Sequence, residues 1–132
     1  MISARAFIIR IACSAALLSL LPGLLLGLPG ASAFAAALCK EPETGTKQTP
    51  MLSPPTANLV TGTGRLQFYS APNISCPLNG VFVIPKDELI AYAQTGDGWS
   101  SVMYTNPRTG NNVSGWVRSA RLKETGTLGP KQ

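Results

Sequence analysis

Two amphipathic segments late in the chain give its clearest hydrophobic pattern. Residues 99–105 and 113–118 alternate apolar and polar positions with the two-residue period of a strand, and a turn-rich polar segment, 106–112, separates them. The alternation places Val102 and Val117 on one face of the pair and Trp99 and Trp116 on the other. The pattern predicts a β-hairpin, which needs further strands around it to be stable.

Further strand signals recur at short intervals before this hairpin. We predict strands at residues 65–70, 81–84 and 89–95, with a loop over 71–80 and a polar turn over 85–88. No window of about 11 residues in this block shows a helical period. The sequence therefore predicts an all-β fold, a small five-stranded barrel over residues 62–124.

The first 35 residues, 1–35, are predicted to be a signal peptide. Arg5 and Arg10 flank the start of an apolar run over residues 11–28, and small residues at 31–35 fit a cleavage site. A membrane anchor is the alternative, since about 20 apolar residues span a bilayer. Two Pro-Gly pairs in or after the run favour cleavage near Phe34 or Ala36, and the bulky Leu38 disfavours a lipoprotein modified at Cys39.

The remaining flanks carry little apolar periodicity. Residues 36–61 are predicted to be an extended linker, because the stretch 40–58 holds four prolines and several threonines. Residues 125–132 are predicted to be a flexible tail. The mature chain is long enough for one small domain only.

The charge of the mature chain limits the classes of partner. The whole chain has 11 Lys and Arg against 6 Asp and Glu, and loss of Arg5 and Arg10 leaves 9 against 6, a net charge of +3. This mild excess indicates solubility and not a nucleic-acid interface. We expect a periplasmic or secreted monomer with no nucleic-acid partner and no membrane attachment after signal cleavage.

The residue types needed for catalysis are largely missing. The chain contains no histidine, which is the commonest general base and metal ligand. Two mature cysteines do not complete a four-ligand zinc site. The six carboxylates fall in the predicted linker and turns or close to the tail. We therefore expect no enzyme activity, no catalytic residue, no metal and no cofactor.

Cys39 and Cys76 are an even pair in a chain predicted to be exported. The export compartment is oxidising, so a disulfide between them is predicted. Closing a loop of this length stabilises a fold by roughly 3 to 4 kcal/mol in chain-entropy estimates.

The order of the Gly-Trp motifs resembles that of bacterial SH3-like (SH3b) domains. The matching residues are Gly98-Trp99 with Val102, and Gly115-Trp116-Val117 with Leu122. The resemblance implies a five-stranded, strongly bent antiparallel barrel, often secreted and often tied to the cell wall or envelope. Eukaryotic relatives that bind proline-rich peptides carry Pro and Tyr in the segment where this chain has Arg118 and Arg121, so we expect no ordinary PxxP recognition.

Two interpretations of the tryptophans stay open at this level. Trp99 and Trp116 either cap the barrel and exclude water, or form with Tyr69 an exposed aromatic platform for a ligand. In the second interpretation Arg118 and Arg121 rim the platform with positive charge.

The sequence thus favours a non-catalytic exported binding module that engages cell-wall peptide or an envelope protein. The alternative is a structural or inhibitory accessory protein that docks on a partner enzyme in the periplasm.

Overall fold

The computed structural model describes residues 36–129. The predicted signal peptide, 1–35, and the last three residues of the predicted tail lie outside the described residues. Within residues 36–129, no helix combines the length and the apolar character needed to cross a membrane.

The described chain forms one antiparallel sheet of seven strands, in the order β3-β2-β6-β5-β4-β1-β7. The strands are β1 (Met51–Val60), β2 (Leu66–Tyr69), β3 (Pro77–Val83), β4 (Glu88–Gln94), β5 (Trp99–Thr105), β6 (Asn112–Arg118) and β7 (Leu122–Thr127). A short 3₁₀ helix, Ser119–Arg121, joins β6 to β7. The all-β prediction is confirmed, but the predicted number of five strands is wrong.

The core lies on one face of this sheet. Buried apolar residues from β1 through β6 pack in a single cluster: Val60, Leu66, Phe68, Val83, Leu89, Ala91, Val102 and Val117. Because strands from distant positions in the sheet contribute to one cluster, the sheet must curl around it. Val102 and Val117 are 1% and 0% exposed, which confirms the inward face predicted for the hairpin.

The β5–β6 hairpin follows the predicted pattern closely. β5 occupies the predicted residues, and its ladder to β6 runs without a register shift from Trp99 opposite Arg118 to Thr105 opposite Asn112. The backbone of β2 lies close to Gly115, since a Cβ at this position would lie 2.9 Å from the carbonyl oxygen of Tyr69. A larger residue at this position would push β2 away from β6.

The predicted linker is wrong for residues 51–60, which form β1 and pair with both β4 and β7. Pro54 and Pro55 lie where the register of β1 shifts, between Met51 and Thr56. Proline cannot donate a hydrogen bond to a ladder, and a bulge is one of the places where a sheet tolerates it. Because of these prolines, the sequence pattern does not indicate a strand here, although β1 is paired on both sides.

Two smaller corrections have similar causes. β3 begins at Pro77, within the predicted loop, and proline is tolerated as the first residue of a strand. β7 extends to Thr127, within the predicted tail, and it is exposed along nearly all its length because it is an edge strand with one neighbour. Its polar sequence therefore gives no alternation to detect.

Candidate functional site

The face of the sheet opposite the core carries the predicted aromatic residues. Ala93, Ser101, Trp116 and Tyr69 lie directly opposite one another on β4, β5, β6 and β2, so their side chains share this outer face. Trp99 lies two residues before Ser101 and joins them, with its ring edge-on to Tyr69 at 4.9 Å between ring centroids. The structure thus brings Tyr69, Trp99 and Trp116 together.

This aromatic face is covered. Trp99 and Trp116 are 3% and 0% exposed, yet neither belongs to the main core cluster. Residues 39–50, here called the strap, precede β1 and contact this face at Trp116 through Glu41. Both tryptophans are shielded from water in this structure, as the first of the two interpretations has it.

Contacts to the sheet occur near both ends of the strap. The indole Nε1 of Trp116 donates to a carboxylate oxygen of Glu41 at 3.2 Å, and the backbone N–H of Gln94 donates to the carbonyl of Pro50 at 3.2 Å. Between them the strap folds on itself, with the N–H of Gly45 donating to the carbonyl of Thr49 at 2.8 Å. Glu41 is itself exposed, and it satisfies the only polar atom of a buried indole.

A disulfide anchors the start of the strap. Cys39 and Cys76 are bonded, with 5.4 Å between their Cα atoms and a sequence separation of 37, which confirms the predicted pair. Cys76 is 4% exposed, so the bond fastens the strap to a buried position just before β3.

The two predicted arginines take different positions. The guanidinium of Arg118 lies over the Trp99 ring, 4.6 Å from its centroid, and the side chain is exposed. Arg121 instead donates from Nε to the carbonyl of Thr61 at 2.6 Å and from a terminal nitrogen to the carbonyl of Gly64 at 2.8 Å. Arg121 therefore holds the β1–β2 loop and does not present its charge as a rim for the tryptophans.

An open groove lies elsewhere, between β3 and the β5–β6 loop. Two clefts of about 340 and 510 Å³ share Phe82, Tyr104 and Asn106 in their walls. We call this continuous depression the Phe82 groove. Phe82 is 36% exposed and Ile84, beside it, is 50% exposed. Large apolar side chains thus line an uncovered concave surface here.

The two sides of the Phe82 groove differ in chemistry. The apolar side comes from core-facing residues that reach its floor, including Phe68 and Val113. The polar side is the β5–β6 loop, which is held by a hydrogen bond from the Asn106 N–H to the carbonyl of Asn111 at 2.8 Å and by the Asn106 Oδ1, which accepts from the Arg108 N–H at 2.9 Å. A loop fixed in this way presents its polar groups at defined positions.

Positive charge borders the Phe82 groove. The guanidinium of Arg65 lies over the Phe82 ring at 4.1 Å from its centroid, and Arg108 lines the larger cleft. Asp87 lies in the same wall, but its carboxylate accepts from the backbone N–H of Ile84 at 2.9 Å. The charged groups around the groove are thus two arginines, Arg65 and Arg108, and the carboxylate of Asp87.

Catalytic geometry is not apparent in the described part of the chain. Within residues 36–129, no group of three or more His, Cys, Asp or Glu residues is arranged to hold a metal ion. No buried side-chain nitrogen or oxygen there lacks a hydrogen-bond partner. What the arrangement offers chemically is an apolar groove bordered by two arginines and one carboxylate.

The groove residues were missed at the sequence level, although one signal points to them. The run 81–84 reads as a uniformly apolar strand, but alternation puts Phe82 and Ile84 on the face opposite Val81 and Val83. Two large apolar residues on the outward face of one strand are a sign of a binding surface.

Comparison of the chain with protein-family models, with curated proteins and with solved structures finds no match in any of the three. The site is therefore interpreted from its geometry.

Proposed function

We propose that this protein is an exported, non-catalytic binding module that holds an extended segment of an envelope protein in the Phe82 groove. The observation that carries the proposal is the exposure of Phe82 and Ile84 beside an apolar cleft. Large apolar side chains that converge in an open cleft, rimmed by polar groups, are typical of interaction sites.

The SH3-like resemblance belongs to this proposal. The hairpin β2–β3 is inserted between β1 and β4, and without it five strands remain in the order β6-β5-β4-β1-β7. The curled antiparallel arrangement of these five, with the Gly-Trp motifs at the start of β5 and within β6, supports an SH3-like barrel with an inserted hairpin.

The chemistry of the groove suits an extended protein segment. The groove offers apolar contact from Phe82 and Tyr104, which suits an aliphatic or aromatic side chain. Arg65 and Arg108 suit a neighbouring carboxylate on the same segment. β3 is an edge strand, whose free side is suited to an extended chain.

Export is supported by two separate features. The start of the chain has the charge and apolar pattern of a cleavable signal. The Cys39–Cys76 bond is of a kind that persists in oxidising compartments such as the periplasm or the extracellular space.

Site-specific cross-linking tests the proposal. A photoreactive residue replaces Ile84 at the groove, or Ile74 as a matched control that is 74% exposed and outside the groove. In envelope extract, the Ile84 bait should cross-link one protein through a segment that mass spectrometry identifies. A synthetic peptide of that segment should then bind the purified chain and lose at least about tenfold in affinity with Phe82→Ala.

Two results would count against this function. Equal cross-linking from positions 84 and 74 would show that contact is not specific to the groove. Retention on bare peptidoglycan, lost with Phe82→Ala, would assign the groove to cell-wall peptide instead.

A further inference from the structure

The strap is held covalently at its start, but its middle makes few contacts with the sheet. Its start is bonded to Cys76, and its end runs into β1, so both ends are fixed. Between them, a cleft of about 490 Å³ separates strap residues, among them Pro42 and Thr49, from the β4–β5 turn. The middle of the strap is thus held chiefly by its own internal turn and by its ends.

We propose that the strap is a redox-released cover over the tryptophan face. With the Cys39–Cys76 bond closed, Glu41 stays at the indole of Trp116 and the face is shielded. With the bond open, residues 39–49 leave the face, and Trp116 becomes accessible while the sheet stays folded.

The different burial of the two cysteines determines which sulfur a reductant attacks. Cys39 is only partly buried and lies on the strap, whereas Cys76 is buried beneath it. A thiolate of a dithiol reductant therefore attacks the Cys39 sulfur and forms a mixed disulfide, and Cys76 leaves as a thiolate that takes a proton. The second thiol of the reductant then displaces Cys39, so that two electrons and two protons pass to the cysteine pair and the reductant becomes a disulfide.

Loss of the anchor is expected to release the strap for an entropic reason. Docking of the strap on the sheet costs conformational entropy for each residue that becomes ordered. The disulfide reduces this cost because it keeps the strap close to the sheet. Without it, the contact between Glu41 and Trp116 and the short internal turn must order the segment alone. Thr49 is buried, but residues 40–48 are exposed or half-buried and so add little apolar contact to the sheet.

The test follows hydrogen exchange and tryptophan quenching in the purified chain, oxidised and after treatment with dithiothreitol. Reduction should speed amide exchange in residues 39–49 at least about tenfold more than in β4, β5 and β6, whose amides stay protected by the folded sheet. Acrylamide quenching of tryptophan fluorescence should rise, and reoxidation should reverse both changes. Cys39→Ser should behave as the reduced chain does.

Two outcomes would overturn the proposal. Unchanged exchange in residues 39–49, in a sample whose two thiols are shown by alkylation to be free, would mean that other contacts hold the strap. Exchange that rises equally in the strap and in β4 to β6 would mean that the bond supports the whole fold and is no local cover. If Cys39→Ser does not fold, the wild-type chain reduced after folding distinguishes the same two outcomes.

Discussion

The tryptophan face and the Phe82 groove are built from similar parts and differ in what covers them. Each has aromatic side chains and a guanidinium over a ring, Arg118 at 4.6 Å from Trp99 and Arg65 at 4.1 Å from Phe82. Trp116 is fully buried, whereas Phe82 is 36% exposed. The strap contacts the first surface at Trp116 through Glu41, whereas no strap residue lines either cleft of the Phe82 groove.

This contrast shows that aromatic residues on an outward strand face do not by themselves mark a ligand site. A face becomes accessible or closed according to the path of segments that lie far away in sequence. Here the partner of the Trp116 indole is Glu41, 75 residues earlier. Four substitutions test the contrast, in order of the loss of stability expected.

Trp116→Ala should have the largest effect on folding. Truncation of a fully buried tryptophan removes a large apolar contact and leaves a cavity, a loss of about 3 to 5 kcal/mol in the free energy of unfolding. Urea denaturation followed by circular dichroism measures it. A loss below about 1 kcal/mol would show that the covered face is not packed as the structure has it.

Replacement of both cysteines by serine should rank second. The bond closes a 37-residue separation, so its loss is expected to lower the free energy of unfolding by about 2 to 4 kcal/mol. The midpoint of urea unfolding, compared between wild type and variant without reductant, gives the value. An unchanged midpoint would contradict a stabilising role for the bond.

Arg121→Ala should be destabilising without affecting ligand binding at the groove. The change removes two hydrogen bonds to the carbonyls of Thr61 and Gly64, and bonds from charged donors are worth about 1.5 to 3 kcal/mol each before relaxation and solvation offset them. We expect a net loss of about 1 to 3 kcal/mol. Arg121→Lys keeps the charge and should recover only part of the loss. A variant of wild-type stability with weakened binding would restore Arg121 to a ligand site.

Phe82→Ala should change stability least and binding most. A surface substitution usually shifts stability by about 0.5 kcal/mol or less, and loss of the Arg65 contact adds about 0.5 to 1 kcal/mol. Affinity for the groove peptide should nevertheless fall at least about tenfold. Calorimetric titration beside thermal unfolding separates the two quantities, and parallel losses in both would make Phe82 a structural residue.

The local parts of this fold were predictable from sequence. The β5–β6 hairpin has alternation in both strands and a turn-rich connection, so its register and inward face follow from neighbouring residues alone. The cysteine pair could be predicted because only two cysteines follow the predicted signal peptide. These features depend on short-range pattern or on counting.

The rest depended on contacts between distant segments. β1 was missed because Pro54 and Pro55 lie at a bulge, and a bulge is set by the partner strand and not by local pattern. The parity of Trp99 and Trp116 was predicted correctly, but their burial required knowledge of the strap. The Phe82 groove could not be predicted because its two sides are distant in sequence. β4 and β5 lie between β3 and the β5–β6 loop.

The pairing of β1 with β7 has a consequence for the order in which the chain can assemble. β1 lies early and needs β7 beside it, and their connection includes a hydrogen bond between Thr61 and Arg121, 60 residues apart. A chain that emerges from a ribosome or a translocation channel from its N-terminal end presents β1 long before β7. The β1–β7 edge therefore stays incomplete until nearly the whole domain has emerged.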